Sequence, residues 1–397
     1  MSAMFNNFTP LLFGRGASRE VGQRIKTAGG TSVLLVHDEQ LPASITEPIV
    51  ENLKSAGLKC TVFCDLEAEI PDYCVENGAE VARQAGDIDF LLALGGGSAM
   101  DCTKAINLLL NNPPPLSQYF LKNGGQAKKT GFPICAIPTT AGTGCEHTKA
   151  AVICDSRDNG SKNPVICEMC FSVSLAILDP ELLLSLPPRQ TAITGIDAFS
   201  HSYEAFTGMK ELRTPLSNLV ALAGMRLVIE YLPRAVRDPS NVDFRENLLT
   251  AATLGGIASE MARGHMGHGF AHAIGSVVHA PHGVCVGSIM PFVAEVVTSV
   301  RAAENRKVLS LFDAGAASTL PDEEVGGALK RAMLEFLDTV SLPSLREYGA
   351  TRKAMEQCAK LSEGDRTMHR FRDEGLDMDR DVISALMNRL CTQYVLP

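Results

Sequence analysis

Two pairs of residues four apart stand out in this chain of 397 residues: Asp197 with His201, and His268 with His272. On a helix each pair shares a face, one turn apart. A further histidine, His282, sits in a Pro281-His282-Gly283 turn, and six of the nine histidines fall between Gly195 and Gly283. Three imidazoles and one carboxylate converging on a point make a divalent-metal site, of a kind that suits Fe(II) or Zn(II). The plain alternative is a scatter of core and capping histidines, and the repeated spacing argues against it.

A second set of residues has the character of a phosphate cradle. The apolar run Asp89 to Leu94 leads into Gly95-Gly96-Gly97-Ser98, and a helix is expected from Ala99 to Leu110. Glycines there bring the backbone close to a phosphate, and the helix start offers N–H groups and a positive dipole end. Ser98 is expected to cap that helix or meet a phosphate oxygen, with Asp101 in its first turn. The spacing is not G-x-G-x-x-G, and a plain tight turn is the alternative. A second loop, Pro138 to Glu146, offers Thr139, Thr140 and Thr143 to a pyrophosphate or ribose. Asp38 follows the run Thr31 to Val36, where a carboxylate can accept from a ribose 2′-OH and select the unphosphorylated dinucleotide, or else cap a helix.

The elements that must position these groups read in two blocks. In the first, apolar runs at Thr31–Val36, Cys60–Phe63, Asp89–Leu94, Ile134–Ile137, Ala150–Cys154 and Ser174–Leu178 read as strands. Helices are expected at Ala17–Lys26, Glu47–Ala56 with Pro48 in its first turn, Tyr73–Ala85 and Ala99–Leu110. Such alternation means a parallel, doubly wound α/β sheet. Beyond Pro187-Pro188 the strand-like runs stop. Helices are expected at Gln190–Phe206, from Thr214-Pro215 to just before Pro233, and at Phe244–Ala262, Val284–Met290, Glu304–Phe312, Glu323–Val340, Lys353–Leu361 and Arg380–Gln393. The boundary therefore divides an α/β nucleotide-binding domain, residues 1–187, from an all-helical metal-binding domain, residues 188–397.

Composition narrows the class. The net charge is −9 with no basic run, which argues against a nucleic-acid or acidic-membrane surface. The opening Met1 to Phe5 has no signal-peptide pattern, and no apolar run reaches about 18 residues, so no membrane span is expected. Twelve cysteines without an export signal point to reduced thiols in a cytoplasm. The single Cys-x-x-Cys, Cys167 to Cys170, reads as a buried strand rather than a metal or redox site.

The motifs GGGSAMD, PTTAGTGCE, TGIDAFSHSYEAF and HGFAHAIGSVVHAPHG occur in that order, and together they resemble the iron-containing, group III alcohol dehydrogenases. The resemblance runs from about Gly14 to about Gly349. It implies the dehydroquinate synthase-like architecture of an α/β nucleotide-binding domain followed by a helical one, and a homo-oligomer, a dimer or larger. It implies NAD as cofactor and Fe(II), with Zn(II) as the alternative, held by Asp197, His201, His268 and His282. His272 falls at the family's second histidine and is the candidate for proton transfer. Gly95, Gly96, Gly97, Ser98, Asp101, Thr139, Thr140, Thr143, Lys162 and Asp38 fall at cofactor positions.

The implied reaction is hydride transfer between NAD(H) and a short primary alcohol or aldehyde. A polyol dehydrogenase of the glycerol or propanediol type, a dehydroquinate-synthase-like lyase and a nucleotide sensor on a dead enzyme scaffold are the competing readings. Two departures bear on substrate. Gly264-His265, behind Arg263, replaces the family's usual Leu-Gly, and His147 replaces a Val. Arg263 and His265 so close to His268 either meet a substrate with a polar or anionic far end, such as a semialdehyde or a sulfonated or phosphonated aldehyde, or else Arg263 points to solvent and His265 only fills space.

Overall fold

A computed structural model describes residues 9–67, 69–158 and 160–395; the opening Met1 to Phe5 stretch lies outside them. The chain forms two compact units. Of the described residues, one unit holds those from 9 to 140 together with 144–186, and the other holds 141–143 together with 187–395.

The first unit contains strands β1 (Leu11–Phe13), β2 (Ser32–His37), β3 (Lys59–Phe63), β4 (Phe90–Gly95), β5 (Ile134–Pro138), β6 (Ala150–Asp155), β7 (Ser161–Ile166) and β8 (Leu175–Leu178). Its helices are α1 (Val21–Thr27), α2 (Ala43–Ser55), α3 (Asp72–Ala85), α4 (Gly97–Asn111) and the single turn α5 (Glu168–Phe171). Six strands form one parallel sheet in the order β1-β8-β5-β4-β2-β3. Strands β2, β4 and β5 are buried along their whole length. Their alternate side chains feed two cores. Leu34, Val36, Leu91 and Ala93 pack on one face, and Val33, Leu35, Leu92 and Leu94 on the other. That is why these runs read as continuously apolar.

Three expectations need correction here. Ala150–Asp155 leaves the parallel sheet and pairs antiparallel with β7, a strand not anticipated because Lys162, Asn163 and Pro164 interrupt its apolar pattern. Cys167 and Cys170 form no strand; Cys167 caps α5 and Cys170 lies within it. Helix α2 starts one turn early, behind Pro42, so Pro48 lies in its interior and forfeits one backbone bond.

The second unit is all helix. It contains α6 (Pro188–Thr207), α7 (Pro215–Arg237), α8 (Val242–Ala262), α9 (Met266–Val278), α10 (His282–Phe312), α11 (Ala314–Thr319), α12 (Asp322–Thr339), α13 (Arg352–Ser362) and α14 (Arg380–Tyr394). Thr214 and Ser217 form a capping box at the start of α7, which runs through Pro233 instead of stopping before it. Two helices expected separately are one: α10 continues past Pro291 and bends at Arg301, whose backbone leaves the helical region. By length and composition α10 is apolar enough to cross a membrane, but most of that span is buried inside this unit, as suits a core helix. The Arg301 guanidinium is fully buried and bonds to the carbonyls of Thr207 and Gly208 and to Glu374. It thereby fixes the end of α6.

Candidate functional site

Helix α6 is buried along most of its length and carries Asp197, His201 and Glu204 at i, i+4 and i+7, on one face. Helix α10 begins at Gly283's neighbour His282, and a Cβ on Gly283 would overlap the Ile193 carbonyl of α6. Only glycine allows that approach, which sets His282 beside Asp197. Helix α9 adds His268 in its first turn.

The three helices bring four side chains together. Asp197 Oδ1 lies 3.6 Å from His201 Nε2, 3.9 Å from His268 Nε2 and 3.6 Å from His282 Nε2. Ligand atoms of Asp197, His201 and His268 all lie within 4.8 Å of one another. Asp197 Oδ1, His201 Nε2 and His268 Nε2 are buried with no hydrogen-bond partner. Leaving such an atom unsatisfied costs about 1–3 kcal/mol, so three of them aimed at one point fit a divalent cation that would satisfy all three. Burial pushes the Asp197 carboxyl up to about 6 and holds the His201 imidazole well below its usual value, in the neutral form a metal needs.

The other ring nitrogens are oriented from behind. His268 Nδ1 lies 2.6 Å from Glu204 Oε2, and Ser259 Oγ lies 3.3 Å from His201 Nδ1. Such outer partners fix the tautomer of a ligating imidazole. Glu204 is fully buried and also accepts from the backbone amides of His265 and His268. Burial favours its neutral form, but His265, His268 and these N–H donors outweigh that and hold it well below the usual carboxylate range. A Cβ on Gly267 would overlap Glu204 Oε1, so the carboxylate fits only against glycine. Sequence reasoning missed Glu204, although its place three residues after His201 on the ligand face was a usable signal.

His272 lies beside the cluster, its ring stacked on His282 with centroids 5.8 Å apart. His265 is fully buried. Its Nε2 is 2.9 Å from Thr207 Oγ1 and its Nδ1 3.3 Å from Glu204 Oε1, so both ring nitrogens face protein and neither is placed to meet a substrate. Burial, the largest influence, pulls this imidazole down to about 4, which argues against a cationic His265. Arg263 caps α8 with an exposed side chain and a left-handed backbone, φ 60°.

In the α/β unit, β4 hands over to α4 through Gly95, whose φ of 151° lies where side chains are strained and whose Cβ would meet Ala99 at 2.7 Å. Gly96 is the N-cap and makes no side-chain cap bond; Gly97 opens the helix and Ser98 is exposed. Ser98 therefore does not cap α4, because the helix begins before it. For the same reason Asp101 lies in the second turn. It accepts from the Val152 amide at 2.9 Å, and burial raises its carboxyl to about 6. Thr139 is buried and donates its amide to Gly95 O at 3.0 Å, and Thr140 lies against Gly96. Thr143 falls in the short segment that belongs to the helical unit, where neighbouring Gly142 lies beside Asp197. Lys162 Nζ is 2.9 Å from Glu69 Oε1. Asp38 follows β2, and its Oδ1 accepts from the Gln40 amide at 2.7 Å in a local turn rather than a helix cap. Lys104, which no motif singled out, is fully buried and bonds to Cys145 O, Thr148 Oγ1 and Ala150 O at 2.7, 3.1 and 3.0 Å, pinning the chain that follows the threonine loop.

A parallel α/β unit with a glycine turn at β4–α4, followed by a helical unit with a three-histidine, one-carboxylate cluster, defines a class of metal-dependent oxidoreductases. Residues 9–180 match the family described as iron-containing alcohol dehydrogenase, and residues 191–388 match its C-terminal domain; the chain belongs to this family. It is 36% identical over 293 residues to the NAD-dependent methanol dehydrogenase of Bacillus methanolicus, covering 73% of this chain and 75% of that one. It is 31% identical over 366 residues to the sulfoacetaldehyde reductase of Bilophila wadsworthia, covering 88% and 89%. The crystal structure of a 1,3-propanediol oxidoreductase superposes with a TM-score of 0.89 at 27% identity, over 98% of this chain and 100% of that one.

Proposed function

We propose that this protein is an NAD(H)-dependent alcohol dehydrogenase and aldehyde reductase acting on short primary alcohols and aldehydes. The observation that carries the reading is the set of buried, unpartnered atoms on Asp197, His201 and His268, gathered beside His282 in a chain of this family. These four residues would hold a divalent ion, Fe(II) by family, with Zn(II) compatible with the same donors. Such an ion supplies Lewis-acid polarisation of the substrate oxygen. NAD(H) supplies or accepts the hydride. The lyase and sensor readings lose ground because family and ligand set agree.

The chain's own residues then have distinct tasks. Glu204 holds the His268 proton at Nδ1, leaving Nε2 for the ion. His272, beside His282, is the imidazole that passes the alcohol proton toward water. The backbone N–H groups from Gly95 to Ser98 receive the pyrophosphate, with Thr139 and Thr140 beside it, and Thr143 is assigned to the cofactor by the resemblance alone. Asp101 and Lys104 brace that loop system, and Lys162 reaches the nucleotide when Glu69 releases it. Asp38 selects NAD over NADP. All twelve cysteines are free thiols, which suits a reducing cytoplasm. Strand β1 is a sheet edge with Leu11 and Phe13 exposed, a surface that suits pairing with a second copy in a homodimer.

The test is the oxidation of NADH by the iron-loaded protein with acetaldehyde, propanal and butanal. Metal-dependent turnover is expected. Turnover that persists after the metal has been removed would overturn the reading.

A further inference from the structure

We propose that His265 is a positioning residue for the metal cluster: its ring donates from Nδ1 to the Glu204 carboxylate, with Thr207 holding Nε2, and this keeps the carboxylate set against His268. The inference rests on the function proposed above and adds to it how this chain aims one of its ligands.

His265 is the N-cap of α9, three residues before His268. Its backbone and its ring face the same group. The His265 amide donates to Glu204 Oε2 at 2.8 Å, the oxygen that also lies 2.6 Å from His268 Nδ1. The ring faces the other oxygen: Nδ1 is 3.3 Å from Oε1, which the His268 amide also reaches, at 3.2 Å. One residue therefore meets both oxygens of the carboxylate. The ring is fully buried and wedged edge-on against Phe371, with centroids 5.1 Å apart, and against Tyr203 at 6.3 Å. A Cβ on Gly264 would come within 2.7 Å of Glu204 Oε2. Gly264 and His265, the two departures side by side in the sequence, thus meet at one carboxylate.

The count of hydrogens decides which ring nitrogen donates. An ionised carboxylate only accepts, and its other partners are donors: two amides and His268 Nδ1. A bare lone pair on His265 Nδ1 would repel Oε1, so Nδ1 carries the hydrogen. No other group forms a hydrogen bond with Nδ1, so nothing competes for it. Burial keeps the ring neutral, with a single N–H, and Nε2 must then accept. Thr207 Oγ1 stands 2.9 Å from Nε2 and supplies that hydrogen. The same hydroxyl is 2.8 Å from the Tyr203 carbonyl, which keeps the Thr207 amide as its helical partner when the hydroxyl turns to His265. Thr207, His265 and Glu204 are all fully buried, where a polar chain rigidifies only if each member is matched.

Zinc affinity, measured by competition with a chromogenic chelator, is the first readout. His265→Phe keeps the bulk and loses the donor. It should weaken zinc binding by about tenfold, the lower end of what a partner behind a ligating histidine contributes. His265→Asn puts an amide N–H close to the Nδ1 position and should recover most of that loss. Added to Glu204→Gln, His265→Phe should cost little more, because its effect runs through that carboxylate. No loss in His265→Phe, equal losses in the Phe and Asn variants, or full additivity with Glu204→Gln overturns the proposal. Should His265→Phe fail to fold, Thr207→Val and Thr207→Ser decide with the ring in place: Val should weaken zinc binding and Ser should not, and equal behaviour of the two overturns the proposal. The second readout needs no metal. Nitrogen NMR of the metal-free protein with labelled histidines should show the His265 hydrogen on Nδ1, and Thr207→Val should move it toward Nε2. A wild-type ring carrying its hydrogen on Nε2 overturns the proposal. A wild type that binds no zinc overturns the functional reading instead, and the NMR result still decides whether His265 donates to Glu204.

Discussion

The metal cluster and the glycine-threonine loops answer the same question, how to prepare for a ligand, in opposite ways. In the helical unit the polar atoms of Asp197, His201 and His268 are left unsatisfied, and the helices hold them together at the expense of stability. In the α/β unit the polar side chains are already engaged: Asp101 with Val152, Lys104 with three acceptors, Lys162 with Glu69, Asp38 with Gln40. What is left there for a pyrophosphate is chiefly backbone, at Gly95 to Ser98, with the Thr139 and Thr140 hydroxyls nearby. A cation needs side-chain lone pairs, whereas a pyrophosphate is met by N–H groups that any glycine turn can supply. One site is therefore a set of residues and the other is a shape.

The sharpest way to break this contrast is to remove the cation. Stripping the metal, or making Asp197→Ala, should lower kcat/KM by at least about a thousandfold, since a Lewis acid supplies several kcal/mol to the reaction. NADH should still bind, because its loops lie in the other unit, and fluorescence of bound NADH checks this. Loss of NADH binding along with the metal would show that the two sites are not separable. Next in size is Glu204→Gln, which keeps shape but removes the charge behind His268. Metal affinity should drop by about 10- to 100-fold, measured by chelator competition.

Protons should compete with the metal but not with NADH. Asp197 is raised to about 6 by burial. Burial alone would pull His268 down, yet the charge of Glu204 and its hydrogen bond leave that imidazole above its usual value. Both groups must give up a proton for the ion to bind, so affinity should rise with pH through the Asp197 value of about 6 and on through the raised His268 value before it levels off. The expected slope is up to two protons released per ion, or about ten- to a hundredfold per pH unit at the acid end. The metal-induced gain in Tm should follow, largest where both groups are deprotonated and fading toward pH 5. A flat profile would mean that these two atoms are not ligands. On the other side of the comparison, Lys104→Met removes the buried ammonium that the Cys145 and Ala150 carbonyls accept from alongside Thr148. It should cost about 1–3 kcal/mol of stability and raise the Kd for NADH by roughly tenfold, with the metal affinity unchanged.

The contrast also explains what the sequence made legible. Helical spacing is a property of the chain alone, so the Asp197/His201 pair is readable from residue order, and the resemblance supplied His282. The same spacing would have yielded Glu204 had the face been followed one turn further. The sheet was legible because β2, β4 and β5 are covered on both sides and hence uniformly apolar. What was not legible depends on partners remote in sequence. β7 is held by pairing with β6 despite Pro164, and Lys104 finds its acceptors about 40 residues downstream. Helix starts at Ala43 and Gly97 were missed because no side chain caps either one, and this shifted Pro48, Ser98 and Asp101 by up to a turn.

The smallest expected effect concerns Asp38, whose charge is assigned the choice between NAD and NADP. It stands just past the carboxyl end of β2, the strand next to β4 in the sheet, with β4 running into the glycine turn. A carboxylate at such a strand end accepts from the ribose 2′-OH of NAD and repels the 2′-phosphate of NADP. One of its oxygens already accepts from the Gln40 amide, which fixes the side chain without neutralising it. Asp38→Gly removes both the charge and this local bond, so KM for NAD should rise by a few-fold while NADP use improves. Asp38→Asn separates the two contributions, since it keeps an acceptor for Gln40 but carries no charge. If the charge sets the preference, both variants should narrow the NAD:NADP ratio of kcat/KM by about tenfold, equivalent to about 1.4 kcal/mol. If Asn behaves like wild type and only Gly loses selectivity, Asp38 acts by shaping the turn, and the choice of cofactor lies elsewhere in the loop system.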